Sequence, residues 1–192
     1  MHLKKIVSGG QTGSDEAGLV VAKRFGLETG GIMPLGFKTL RGNRPEFASI
    51  YGITEHGSEN YVPRTYLNVQ NSDGTIRLAG NFNSRGELCT MKAILKFGKP
   101  CFDIDLADPP PESQLLEWLE KWKIVTLNVA GNAEETYAGA YVRSVAYLSA
   151  AFLEGGLCLA LTTEQIVNLV GLVWSGDIVA SVENGKLLLR KP

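Results

Sequence analysis

Leu3-Lys4-Lys5-Ile6-Val7-Ser8-Gly9-Gly10-Gln11-Thr12-Gly13-Ser14-Asp15-Glu16-Ala17 decides the fold. Residues 3–8 read as a short buried strand, and residues 9–13 as a tight glycine turn. Residues 14–25 carry apolar side chains at Ala17, Val20, Val21 and Phe25, a helical stripe, and Gly26 stops it. The chain therefore opens strand, glycine loop, helix. The first free N–H groups of such a helix, at its positive dipole end, offer a seat to a phosphate or similar anion. Glycines let the backbone approach because no Cβ intervenes. Set against G-x-G-x-x-G, Gly10 and Gly13 fit and Ser8 replaces the first glycine. A dinucleotide fold also wants an acid at the end of the second strand, and Ile32-Met33-Pro34 supplies none. A P-loop wants a lysine, which this loop lacks. An anion held by Gly9, Gly10, Gln11, Thr12, Gly13 and Ser14 is one reading; a plain strand-to-helix turn is the other.

Outward from this stretch, strands and helices alternate. Strands are expected at 75–79, 100–105 and 124–129, and a strand end at 30–34. Helices are expected at 59–70, 87–97, 112–122 and 135–154. Alternation of this kind implies a mainly parallel sheet with helices on both faces, a Rossmann-like α/β fold. Ligands of such sheets sit outside the carboxyl ends of the strands. The loops at 9–13, 80–86 and around Gly131 all follow strands, so they are expected on one rim. Residues 1–156 read as this ligand-binding domain. Residues 157–192 read as an extension: a strand at 157–161, a nearly all-apolar helix at 164–174, and a hairpin of 177–182 and 186–190 around Asn184-Gly185. Its expected place is against the core or a second subunit.

Composition narrows the class. A net charge of −1 over 192 residues argues against a basic nucleic-acid binder, and 44% hydrophobic residues argue against disorder. Three cysteines form no disulfide framework. The most apolar stretch, 166–174, falls well short of the ~20 residues of a membrane span, and no signal-peptide core precedes Ile6. A cytoplasmic protein without membrane or nucleic-acid partners is expected. Glycine is abundant, 22 residues without a repeat, so its turns carry the message.

Other residues admit two readings. Lys38, Arg41 and Arg44 suit an anion clamp or a solvated loop. Arg64 and Thr65 lie on a half-buried helix, where an arginine is an ion-pair partner or a ligand contact. Ser84, Arg85 and Gly86 precede a helix as a second anion nest, or Ser84 is its N-cap. Ser72-Asp73-Gly74-Thr75 reads as a turn into a strand. Asp15 suits the helix dipole, and beside an anion it would serve a sugar hydroxyl or ring nitrogen. With His2 and His56 the only histidines, no metal-ligand spacing is present and no protein-ligated metal is expected. No G-x-S-x-G elbow accompanies His56.

The order of motifs supplies more. Residues 8–15, Gly31-Ile32-Met33-Pro34-Leu35-Gly36, residues 61–65, residues 68–75, Gly98-Lys99-Pro100 and Leu127-Asn128-Val129-Ala130-Gly131 stand in sequence. This resembles the molybdenum-cofactor carrier family, within a Rossmann-like group that also includes phosphoribohydrolases once labelled lysine decarboxylases. The resemblance covers about residues 5–155. It implies a homo-oligomer, dimer or tetramer, that carries a small anionic ligand, molybdenum cofactor or a nucleotide, rather than an enzyme. It implies binding by Gly9, Gly10, Gln11, Thr12, Gly13 and Asp15, by Arg64, Thr65, Asn68, Ser72, Asp73 and Gly74, and by Gly131. The chain departs from the family at Asn83-Ser84-Arg85-Gly86-Glu87, where Ser-Gly-Gly-Thr is usual, at Asn132-Ala133 in place of Pro-Arg, and at Glu16 in place of a basic residue. A phosphoribohydrolase-like enzyme is the alternative, although residues 83–90 lack that group's Pro-Gly-Gly-x-Gly-Thr-x-x-Glu signature. An interaction module built on residues 157–192 is a third reading.

Overall fold

The computed structural model describes residues 2–157, 179–183 and 186–190. The chain divides into two compact units, Met1–Leu157 and Cys158–Pro192. In the first unit β1 (Lys5–Ser8), α1 (Ser14–Arg24) and β2 (Glu28–Gly30) follow the opening stretch. A small subdomain comes next: β3 (Ile32–Met33), a 3-10 turn at Leu35–Phe37, β4 (Lys38–Thr39), β5 (Gly42–Asn43), α2 (Glu46–Tyr51) and β6 (Thr54–Glu55). Then come α3 (Tyr61–Gln70), β7 (Gly74–Ala79), α4 (Arg85–Phe97), β8 (Cys101–Asp105), α5 (Glu112–Lys121), β9 (Thr126–Gly131) and α6 (Ala140–Glu154).

Five strands form one sheet in the order β2-β1-β9-β7-β8, every neighbouring pair parallel. Alternation along the strands gives the sheet two unlike faces. Ile6, Ile76, Leu78, Ile104, Leu127 and Val129 join one apolar core with α1, α5 and α6. That core is dense with aromatic contact, for example Phe25 edge-on to Phe152 at 5.7 Å between centroids. The residues between, Thr75, Arg77, Asp103 and Asn128, turn to the other face under α3 and α4. That face is polar, and α3 and α4 hold each other through a smaller cluster of Val69, Ala93 and Ile94. So β1 leads to a helix on one face and β7 to a helix on the other, the topology that opens a crevice at the carboxyl ends.

Three of the boundaries that differ from the sequence expectation have a visible local cause. The strand end expected at 30–34 is two strands, because Gly31 (φ 127°) breaks them where a Cβ would strike the Ser8 backbone. Helix α4 starts at Arg85 because Ser84 is a true N-cap, its Oγ accepting from the Glu87 N–H at 3.4 Å. Helix α6 starts at Ala140 rather than Glu135. Its first turn is set by Glu134, whose carboxylate accepts from the N–H groups of Gly139 and Tyr141. Helix α2 carries no sequence expectation at all; its Phe47 packs with Leu19, Met33 and Ile53.

In the second unit, β10 (Val179–Glu183) and β11 (Lys186–Arg190) pair antiparallel, with Glu183 opposite Lys186. That is the hairpin expected around Asn184-Gly185. Past Leu157, the strand expected at 157–161 and the helix expected at 164–174 lie outside the described residues.

Candidate functional site

A cleft of about 800 Å³ opens at the carboxyl ends of β1, β7 and β9, between α3 and α4. Gly9, Gln11 and Asp15 form one wall, Arg64, Thr65 and Asn68 of α3 a second, Ser84, Arg85, Gly86 and Glu87 at the start of α4 a third. Gly131 closes the ring from β9, and Asn128 and Ala130 supply the sheet floor. Ten of the expected site residues thus meet around one cavity, although they come from four separate parts of the chain.

The others lie elsewhere. Gly10 (φ 64°) leaves no room beside the Met33 thioether. Gly13 (φ 82°) passes the backbone of Asn132 to Glu134 too closely for any side chain. The Thr12 hydroxyl donates to Glu135 Oε2. Ser14 is fully buried, donating from Oγ to the Leu78 carbonyl at 2.8 Å and accepting from Ser144. Ser72, Asp73 and Gly74 stand at the amino end of β7, the opposite end of the sheet. There Asp73 Oδ2 accepts from the N–H groups of Val125 and Thr126 at 3.0 and 2.7 Å and ties β7 to β9.

The first glycine loop is knitted to the protein's own acceptors. The Ser14 N–H donates to the Asn132 carbonyl, Thr12 N–H to Gln11 Oε1, Glu16 N–H to the Gln11 carbonyl, and Gln11 N–H to Asp15 Oδ2 at 3.3 Å. Gln11 Oε1 also accepts from Leu40 N–H, which fixes the cleft's outer lip. The cations of the 38–44 segment are likewise spent on ion pairs, Lys38 with Glu59, Arg41 with Glu135, Arg44 with Glu16 and Glu46.

Besides the exposed Arg85, four charged groups stand at or under the cleft. Arg64 reaches from α3 across Gly9, so that a Cβ on Gly9 would fall on the guanidinium. Its Nη1 lies 3.4 Å from Asp15 Oδ2, and its Nε is buried without a partner. Burial pushes the Asp15 carboxyl up, and Arg64 together with the N–H groups of Gln11 and Gly131 only partly offsets this. Glu87 is 1% exposed, with Oε2 unpartnered and Arg77 Nη1 at 3.7 Å. Arg77 is committed in bidentate fashion to Asp103, so it gives Glu87 charge but no hydrogen bond to the carboxylate. Burial pushes the Glu87 carboxyl up to about 7. Cys89 is half-buried on the wall and burial pushes its thiol up, away from thiolate chemistry.

Two residues outside the sequence-level site matter here. Glu87 carries no site expectation of its own; the alternation Ile76-Arg77-Leu78, which puts a charge on a buried strand, is the sequence signal for its partner. Asn132 is 1% exposed and clamps the rim. Its Oδ1 accepts from Gly80 and Asn81 N–H at 3.1 and 2.8 Å, and its Nδ2 donates to the Asn81 carbonyl and Ser84 Oγ. His56 stands in a turn, accepting from the Ser58 N–H. Among the described residues no group of three or more His, Cys, Asp or Glu could hold a metal ion, and no helix is long and apolar enough to cross a membrane.

The same span of chain matches a known family. The model of the circularly permutated YpsA SLOG family matches residues 6–152. The chain belongs to that family. Within it, the cleft residues from Gly9 to Gly131 all lie inside the matched span. A similar solved structure is that of a "Putative molybdenum carrier protein" from Syntrophus aciditrophicus, 32% identical, with a TM-score of 0.73 over 79% of this chain and 96% of that one. No curated protein matches. This SLOG-family chain therefore shares with its neighbour the Rossmann-like α/β architecture.

Proposed function

We propose that this protein carries a phosphate-bearing small molecule, molybdenum cofactor or a nucleotide-like ligand, in the cleft between α3 and α4. One observation carries the reading: Arg64, a guanidinium with 12% of its side chain exposed and an orphaned buried Nε, stands in a cleft of ligand size beside the first glycine loop. Arg85, exposed at the opposite wall, supplies a second cation. Gly86 leaves the backbone open to close approach, and Asn68, Thr65 and Ser84 add neutral polar groups. The carrier name of the similar structure agrees with this donor set. Its cargo would be an anion held largely by side chains, since the N–H groups of Gln11, Thr12 and Ser14 serve protein acceptors.

The test is a thermal-shift series with nucleoside monophosphates, pterin phosphates, molybdate and sulfate. Stabilisation by the phosphate-bearing members, lost in Arg64→Gln, is expected; no shift with any member overturns the proposal. We take the carrier to act in the cytoplasm as a homo-oligomer, and a monomeric mass by sedimentation would remove the second part.

Glu87 favours one other reading. A buried carboxyl that holds its proton near neutrality is suited to general-acid work, as in a phosphoribohydrolase-like enzyme. Release of free base from nucleoside monophosphates, abolished in Glu87→Gln, would establish it.

A further inference from the structure

We propose that Arg64 and Asp15 form an exchangeable pair: a phosphate-bearing ligand takes the Arg64 guanidinium from Asp15, and the carboxylate, left in its buried seat, takes up a proton from solvent. The inference rests on the carrier reading above and names how that cleft accepts its charge.

The contact between the two groups is a single one. Arg64 offers Asp15 only Nη1, at 3.4 Å, where a guanidinium gripping a carboxylate makes two short parallel bonds. Its Nε points to no acceptor. The face of Tyr61 lies 5.7 Å from the guanidinium carbon and supports it from α3. The head group rests on Gly9, which has no side chain to trap it. Such an arginine can turn toward a phosphate without breaking a second strong bond, and a phosphate offers the bidentate geometry that Asp15 does not.

Asp15 cannot follow. Its side chain is 5% exposed, and the N–H groups of Gln11 and Gly131 hold it in place. Among the described residues the charged groups that act on it are Arg64 from α3 and Glu87 from α4, with Arg77 beyond Glu87 and already engaged by Asp103. Removing Arg64 leaves two buried carboxyls and an incoming dianion near one another. A buried carboxylate without a cation neutralises by protonation. Burial already holds Asp15 above its ordinary range with Arg64 present, so the loss of that cation drives it further in the same direction.

The experiment is calorimetric titration with guanosine 5′-monophosphate, and with inorganic pyrophosphate, at pH 7 in two buffers of different protonation enthalpy. Wild type is expected to show net proton uptake on binding. Asp15→Asn, in which the amide oxygen still accepts from Gln11, is expected to bind about tenfold tighter with no uptake, because the internal competitor is gone. Glu87→Gln is expected to keep the uptake, which assigns the proton to Asp15 rather than its neighbour. Silence in wild type with binding in Asp15→Asn also supports the exchange. Binding by wild type without proton uptake, or uptake that survives Asp15→Asn, overturns the exchange and leaves the carrier reading standing. Silence of both proteins toward both probes overturns the two together.

Discussion

Replacing Glu87 by glutamine should remove a pH dependence from the folding free energy. In the folded protein this carboxyl is almost wholly buried, and its titration is pushed from 4.5 to about 7 by desolvation, with Asp15 and Asp103 adding to the rise and Arg77 opposing it. The folded pKa is the higher, so the group contributes its full stability below the unfolded value, where both states hold the proton. Between pH 4.5 and 7 the unfolded chain releases a proton that the folded chain retains, and stability falls with rising pH. The gap corresponds to about 3 kcal/mol, complete above the folded pKa. The assay is urea unfolding followed by tryptophan fluorescence at intervals from pH 4.5 to 8, on wild type and Glu87→Gln. Titrations of other groups are common to both proteins, so the difference between the two curves isolates Glu87. Wild type should lose about 3 kcal/mol more than the variant over this range. Parallel curves would refute the buried, unpartnered placement of Glu87.

Three further outcomes are expected. Asn132→Ala removes the buried amide that accepts from the Gly80 and Asn81 N–H groups and donates to the Asn81 carbonyl, and should cost about 1–2 kcal/mol in chemical denaturation; an unchanged midpoint would mean that solvent replaces the amide. Gly9→Ala should lower the melting temperature, because the new Cβ displaces the Arg64 guanidinium and also presses on Asp15 Oδ2 at 2.8 Å, and should raise the Asp15 titration followed by carboxyl NMR as the guanidinium moves off; an unmoved titration argues against the contact. Phe152→Ala empties a fully buried position against Phe25 and should cost about 3–5 kcal/mol, read from the urea midpoint.

Much of the fold is legible because the opening motif and the alternating periods act locally. Ile6-Val7-Ser8 followed by glycines and an apolar helical stripe can hardly fold otherwise, and each later strand carries its own turn signals. Helix boundaries are less legible where a side chain several residues away decides them: Glu134 reaches forward to the N–H groups of Gly139 and Tyr141 and delays α6. The six-residue α2 has too short an apolar period to register, and only its burial of Phe47 against Leu19 and Met33 explains it. For the site, glycines and arginines point to the right rim, but residues alike on paper diverge in space. Gly9 and Gly131 face the cleft while Gly74, in a motif just as suggestive, packs against Ile124 and Trp118 at the far end of the sheet. Chain order separates the two: residues 72–74 lead into β7 and so lie at its amino end, whereas Gly9 follows β1 and Gly131 ends β9.

The two faces of the sheet also explain how a cleft with so many buried charges is tolerated. Desolvating Asp15, Glu87, Arg64 and Arg77 works against folding, and exchange of such groups for well-packed apolar ones is often neutral or stabilising. The opposite face makes up the difference: Ile6, Ile76, Leu78, Leu127 and Val129 meet α1, α5 and α6 in one continuous core with no charged member. Because successive residues of a strand point to opposite faces, each strand serves both ends at once, Ile76 and Leu78 one way and Arg77 the other. Stability and binding are thereby written on the same strands without competing for the same positions. Substitutions at Arg64 or Glu87 can change what the cleft holds while the α1, α5 and α6 core keeps the sheet folded, whereas a substitution such as Phe152→Ala weakens the fold without touching a cleft residue.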